Sequence, residues 1–189
     1  SRKAILIMGA RQVGKSTLLK QLLKERNDVL WLNGDDWDVQ ELFSTITSTR
    51  LRAIIGDNRF VVVDEAQRIP EIGLRLKLIT DQIPDVQLIA TGSSSFELSS
   101  KVSESLTGRK REFIMCPLTF EEMVNHTQFL DEVRMIPHRM VYGYYPEVVT
   151  TPGDERMLLK ELTNSYLYKD ILSLDGINKP EKLVRLLKA

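Results

Sequence analysis

The chain has 189 residues, 42% hydrophobic and 28% charged, with 26 Lys and Arg against 26 Asp and Glu. That length and balance describe a folded chain able to bury its own core, and exclude disordered and collagen-like polymers. A formal net charge of zero gives no basis for coating nucleic acid or anionic membrane by bulk charge, while a lone cysteine, Cys116, and two histidines, His126 and His138, exclude an internal disulfide or a zinc cluster.

Short apolar runs at Ala4–Met8, Val29–Asn33, Phe60–Asp64, Gln87–Thr91 and Glu112–Cys116 predict five strands, covered on both faces. A helix is expected over about Lys15–Arg26, with Leu18, Leu19, Leu22 and Leu23 on one side. Asp35, Asp36, Trp37 and Asp38 follow the second strand and are expected on the sheet's upper rim, with Trp37 in a packing role. Leu74, Leu76, Leu78, Ile79 and Ile83 predict a helix between the third and fourth strands. Five strands with crossover helices make a doubly wound α/β sheet, whose ligands sit beyond the carboxyl ends of the strands. Cys116 reads as a small buried residue at a strand end.

After Pro117 the pattern turns helical, which divides the chain into a core, 1–117, and a helical segment, 118–189. Thr119 is expected to cap a helix over Thr119–Asn125, with Glu122 completing a capping box. Gly143-Tyr144-Tyr145-Pro146 and Pro152-Gly153 are turns, and Leu158, Leu162 and Tyr166 mark an amphipathic helix from Asp154 to about Leu174. Leu183, Leu186 and Leu187 open another helical pattern, and both ends read as cuts through a longer protein. No run approaches the roughly 20 apolar residues of a membrane span and no leader precedes the first strand, so the expected setting is cytoplasmic.

Gly9 to Ser16 reads GARQVGKS, the phosphate-binding pattern Gly-x4-Gly-Lys-Ser/Thr between a strand and a helix. Glycines let successive backbone N–H groups converge on phosphates at the positive end of a helix. The expected nucleotide contacts are Gly9, Arg11, Gln12, Val13, Gly14, Lys15, Ser16 and Thr17, with Arg11 contributing its backbone more than its side chain. Lys15 serves the β- and γ-phosphates and Ser16 ligates Mg²⁺. Asp64, at the end of the third strand, can reach the same cation, and Glu65 can polarise water, which favours hydrolysis over transfer to a metabolite.

The fourth strand ends at Thr91, Gly92, Ser93, Ser94 and Ser95; either Thr91 and Ser93 bond the attacking water or the phosphate, or this Ser-rich stretch is a loop that caps the next helix. Arg109 is either a γ-phosphate sensor, in its own or a neighbouring chain, or a surface arginine beside Lys110 and Arg111. Asn178-Lys179-Pro180-Glu181 lacks the aspartate of a guanine reader. His126 and His138 have no partners at metal spacing and read as surface or packing residues.

The series GARQVGKSTLL, FVVVDEAQRIPE, LIATGSSSFEL, LTGRKREFIMCPLTFEEM, YGYYPEVV and YLYKDI resembles prokaryotic predicted ATPases of the AAA-type P-loop superfamily, which carry a carboxyl-terminal domain of unknown function. The resemblance covers essentially the whole chain. It implies sheet order 5-1-4-3-2, ATP with Mg²⁺, and a helical, then winged-helix-like module. It implies nucleotide and metal roles for Lys15 and Ser16, the acidic pair for Asp64 and Glu65, and downstream polar and Gly-Arg positions for Ser93 and Arg109. Two departures are a missing helical segment before the first strand and a module that stops at its opening helices.

The function expected is an ATP-hydrolysing switch, with Glu65, Lys15, Ser93 and Arg109 as catalytic candidates and Ser16 and Asp64 as metal ligands. The alternative is an ATP-dependent binding module with incidental turnover. Its partner would be a protein of unknown identity, or nucleic acid held through the missing carboxyl-terminal part. A small-molecule kinase ranks below both, because the acidic pair is present and no Arg-rich lid is evident. No membrane contact is expected, and assembly into an oligomer is compatible with the sequence.

Overall fold

The computed structural model of the chain describes residues 3–93 and 105–164. Five parallel strands, β1 (Ala4–Gly9), β2 (Val29–Asn33), β3 (Phe60–Asp64), β4 (Gln87–Gly92) and β5 (Lys110–Met115), form one sheet of order β2-β3-β4-β1-β5. This is the order expected from the resemblance. Its consequence is that β4 lies between β1 and β3, so the ends of these three strands meet along one edge.

Strand alternation sends successive side chains to opposite faces, and both faces of the central strands are covered. On one face Leu6, Met8, Val61, Val63, Leu88 and Ala90 join a cluster with Phe43 of α2 (Trp37–Ser44), Leu51 and Ile55 of α3 (Ser48–Ile55), and Leu76 and Ile79 of α4 (Ile72–Gln82). On the other, Ile7, Val62 and Ile89 pack with Leu19 of α1 (Lys15–Leu22) and with Leu23, which follows it. Burial on both sides explains why these strands read as continuous apolar runs instead of alternating ones.

Several expectations are corrected by the packing. Among the described residues strand β5 pairs only with β1, and its Phe113 and Ile114 are 54% and 75% exposed, so double coverage does not extend to this edge. It starts at Lys110, ahead of the expected Glu112, because Lys110 pairs with Ala4 at the beginning of β1. Cys116, just beyond this edge strand, is exposed. In α1 only Leu19 of the α1 leucines is buried; Leu18 and Leu22 are exposed, because each lies about 100° around the helix from its buried neighbour. Trp37 begins α2 and is 69% exposed, so it does not pack as expected.

The chain divides into two compact units, one of residues 1–10 and 14–116, the other of residues 11–13 and 117–189. Within the second, α5 (Phe120–His126) carries the expected capping box: Thr119 Oγ1 accepts from the Glu122 N–H at 3.2 Å, and the Glu122 carboxylate accepts from the Thr119 N–H at 2.7 Å. It is followed by α6 (Phe129–Tyr142), α7 (Pro146–Thr150) and α8 (Glu155–Leu162). Glu132 and Arg139 of α6 form a buried ion pair at 3.0 Å, and the Arg139 guanidinium lies 5.6 Å from the centre of the Tyr144 ring. Burial, and secondarily the Glu132 carboxylate, raises the Tyr144 phenol above its ordinary value. His138 faces Glu155 at 3.2 Å, while His126 ends α5.

Among the described residues no helix is long and apolar enough to cross a membrane. Ser94, Ser95, Tyr166 to Leu174, Asn178 to Glu181 and Leu183 to Ala189 lie outside the described residues.

Candidate nucleotide site

The site begins where β1 ends. Gly9 pairs with Met115 of β5, and a Cβ at Gly9 would collide with the Met115 carbonyl oxygen, so only glycine lets the chain leave β1 this close to its neighbour. The backbone then turns through left-handed conformations at Gln12 (φ 60) and Gly14 (φ 98), the latter capping α1. Alternation of this kind turns backbone N–H groups toward a common centre. The first turn of α1 has no acidic side chain of its own, which suits a helix end that receives an anion.

Lys15 is only 4% exposed, and its ammonium donates to the carbonyl oxygens of Gly9 at 3.0 Å and Ala10 at 2.7 Å. A buried ammonium requires such partners, and these hold its charge beside the strand end. One helical step on, Ser16 Oγ donates to Asp64 Oδ1 at 3.0 Å. The fully buried Thr91 of β4 donates to the same Asp64 oxygen and accepts from the Glu65 N–H at 3.1 Å. Three strands thus contribute to one cluster, and β4 is the element that ties the acidic pair in place.

Glu65 itself adopts a left-handed backbone (φ 48) and caps a 3₁₀ turn at Ala66–Arg68. A non-glycine residue in this region stores strain, and the surroundings hold it there. The Gly34 N–H donates to the Asp64 carbonyl at 2.7 Å, and a Cβ on Gly34 would strike the Glu65 carbonyl oxygen. On the other side Gln67 Nε2 donates to the Glu65 carboxylate, and Gln67 Oε1 accepts from the Ser93 N–H at 3.2 Å.

The structure therefore brings Gly9, Gly14, Lys15, Ser16, Asp64, Glu65 and Ser93 to the carboxyl edge of the sheet. Thr17 is exposed on α1, Val13 is buried, and Arg11, Gln12 and Val13 group with the second unit. Arg109 is not brought there. Its carbonyl accepts from the Ala4 N–H at the opposite end of β1, about 17 Å from the loop at the usual strand rise, and its guanidinium pairs with Asp81 at 2.7 Å. Parallel pairing of β5 with β1 dictates this separation and excludes contact with a phosphate on the loop of the same chain. Sequence reading missed Gln67 and Gly34. Proximity of Gln67 to Glu65 and the glycine directly after β2 were the only available signals.

The donors fit Mg²⁺. A hydroxyl and one carboxylate, both hard oxygen ligands, suit a small cation that keeps several waters and takes its other ligands from phosphate. Among the described residues no group of three His, Cys, Asp or Glu side chains is placed to form a metal cage of its own.

A family model described as an AAA domain matches residues 1–124. The chain belongs to the AAA domain family. A second model, for a domain of unknown function, matches residues 133–189 of this AAA protein. An uncharacterized protein of Methanocaldococcus jannaschii is 22% identical to it over 199 residues, covering 96% of this chain and 44% of that protein. An uncharacterized protein of Mycobacterium tuberculosis is 28% identical over 120 residues, covering 63% and 26%. The AAA chain thus spans less than half the length of these curated relatives. Among solved structures, the Orc1 protein of Aeropyrum pernix in complex with DNA is similar with a TM-score of 0.46 and 12% identity, covering 71% of this chain and 44% of that one.

Proposed function

We propose that this AAA domain binds ATP with Mg²⁺ and hydrolyses it, its nucleotide state serving as a switch in the cytoplasm. The observation that carries this reading is the hydrogen bond between Ser16, on the phosphate loop's helix, and Asp64, at the end of β3, with Glu65 next in the chain. In this reading Ser16 and Asp64 are the metal-binding pair, and Glu65 is the carboxylate that takes a proton from water.

In this reading the Lys15 ammonium shifts from the Gly9 and Ala10 carbonyls to the β- and γ-phosphate oxygens, exchanging neutral acceptors for charged ones. Backbone N–H groups of the loop and of the first turn of α1 hold the remaining phosphate charge. When bound, the divalent cation neutralises charge that develops on the transferred phosphoryl group. Glu65 orients the attacking water and accepts its proton. Thr91 holds Asp64 and Glu65 together, and Ser93 lies at the strand end beside them. Arg109, excluded from its own chain's loop, enters only as a residue offered to a neighbouring copy.

The test is calorimetric titration with ATP and Mg²⁺, followed by phosphate-release assays, on the wild type and two variants. Lys15→Ala should weaken ATP binding about 10- to 100-fold, the loss expected for one or two hydrogen bonds to a charged group. Glu65→Gln should bind normally and turn over about 10²- to 10⁴-fold more slowly. Equal affinity in Lys15→Ala, or wild-type turnover in Glu65→Gln, would remove the role assigned to that residue.

A further inference from the structure

Gln67 makes two bonds that no part of the hydrolysis reading uses. Its amide nitrogen donates to Glu65 Oε2, and its amide oxygen accepts from the Ser93 N–H at 3.2 Å. The two contacts are mutually consistent, since a carboxylate can only accept and a backbone N–H can only donate; the orientation of the amide is thereby determined. Ser93 is buried and Glu65 is half-buried, so the amide links a buried backbone N–H to the carboxylate of a half-buried residue. Gln67 sits in the 3₁₀ turn that Glu65 caps, and the Arg68 N–H donates to the Glu65 carbonyl at 3.0 Å. Turn and strand end therefore hold Gln67 from both sides.

We infer that Gln67 is a positioning residue that fastens the Glu65 carboxylate to the exit of β4, setting the rate of turnover and not the affinity for nucleotide. A glutamate has three side-chain torsions, and a carboxylate without this tether would sample several rotamers. Thr91 restrains the Glu65 backbone through its N–H, and the Gln67 amide restrains its carboxylate. Because the loop bonds of Lys15 and the Ser16–Asp64 pair do not pass through Gln67, phosphate binding is left to other groups. The inference rests on the hydrolysis reading above, and its test separates the two.

The experiment is a double-mutant cycle in this chain, measuring kcat, KM and ATP affinity by calorimetry. Gln67→Ala should lower kcat roughly 10- to 100-fold, the scale of a misplaced catalytic group, while KM and affinity stay within about threefold. Gln67→Glu keeps an acceptor for the Ser93 N–H but turns the donor toward Glu65 into a second carboxylate; it should lower kcat at least as far, and it keeps the test open if Gln67→Ala folds poorly. In the Glu65→Gln background, Gln67→Ala should cost no further rate, because the group it positions is gone. Wild-type kcat in Gln67→Glu, or the same factor lost in both backgrounds, would overturn the inference and leave Gln67 a packing residue. A wild-type chain that binds ATP yet releases no phosphate would overturn the hydrolysis reading and this inference with it. Turnover that persists unchanged in Gln67→Ala would overturn this inference alone.

Discussion

Replacing Gly34 with alanine drives a methyl group into the carbonyl oxygen of Glu65, with the Asp64 carbonyl oxygen and the Glu65 carbonyl carbon each 3.1 Å away. All three atoms are backbone, so no side chain can swing aside. Relief requires the segment after β2 to separate from the Asp64–Glu65 turn by roughly half an ångström or more, given ordinary van der Waals spacing. The Gly34 N–H bond to Asp64, at 2.7 Å, resists that separation. Overpacking of this kind costs about 1–3 kcal/mol. The displaced atoms carry the carboxylate assigned to water, and a displacement of about 1 Å can cost ~100-fold in rate. Gly34→Ala should therefore lower kcat about 10- to 100-fold. ATP affinity should fall less than kcat, because Lys15 and its bonds to the Gly9 and Ala10 carbonyls lie outside the displaced turn. Phosphate release, calorimetry and urea denaturation read the three quantities separately. Gly56→Ala supplies the control: its φ of 54° is also positive, but nothing lies within 4 Å of a Cβ there. It should cost about 1–3 kcal/mol through backbone strain alone and leave turnover unchanged. A Gly34→Ala protein with wild-type stability and kcat would refute the reasoning, since the contact would then be absorbed without moving Glu65.

In the core, Leu76 of α4 is fully buried between helix and sheet, so Leu76→Ala should cost about 2–5 kcal/mol; a loss below ~1 kcal/mol in denaturant unfolding would mean the site collapses around the smaller side chain. In the helical unit, Glu155 is held below the ordinary carboxyl range, first by the Gly153 N–H, then by its own N–H, with a smaller contribution from His138. A depressed folded pKa stabilises the ionised form, so this contribution is complete above the unfolded value near 4.3 and is lost as pH falls through the lower folded value. Amide NMR of residues 153–156 should show the start of α8 loosening in that acid window. In Glu155→Gln the transition should be absent, and its persistence at the same pH would assign it to another group.

The β2 and β3 limits, the capping box at Thr119 and the phosphate loop were legible in the linear order of residues, because each depends on neighbours within a few positions. Apolar continuity marks a strand covered on both faces, and a hydroxyl three residues ahead of a glutamate marks a helix start whatever lies around it. Helix α6 was less legible, since many of its apolar side chains, Phe129, Leu130 and Met140 among them, are exposed and Pro137 lies within it. Residues alone could not say on which edge of the sheet Arg109 falls. Parallel register places it beside Ala4, away from Gly9, and this removes it from its own chain's site. The same holds for Gln67 and Gly34, ordinary residues in the sequence, whose importance comes from contact with Glu65. Periodicity and capping arise from bonds between near neighbours along the chain. Convergence of Lys15, Ser16, Asp64, Thr91 and Ser93 comes from strand order, because insertion of β4 between β1 and β3 is what brings their distant carboxyl ends within hydrogen-bonding range.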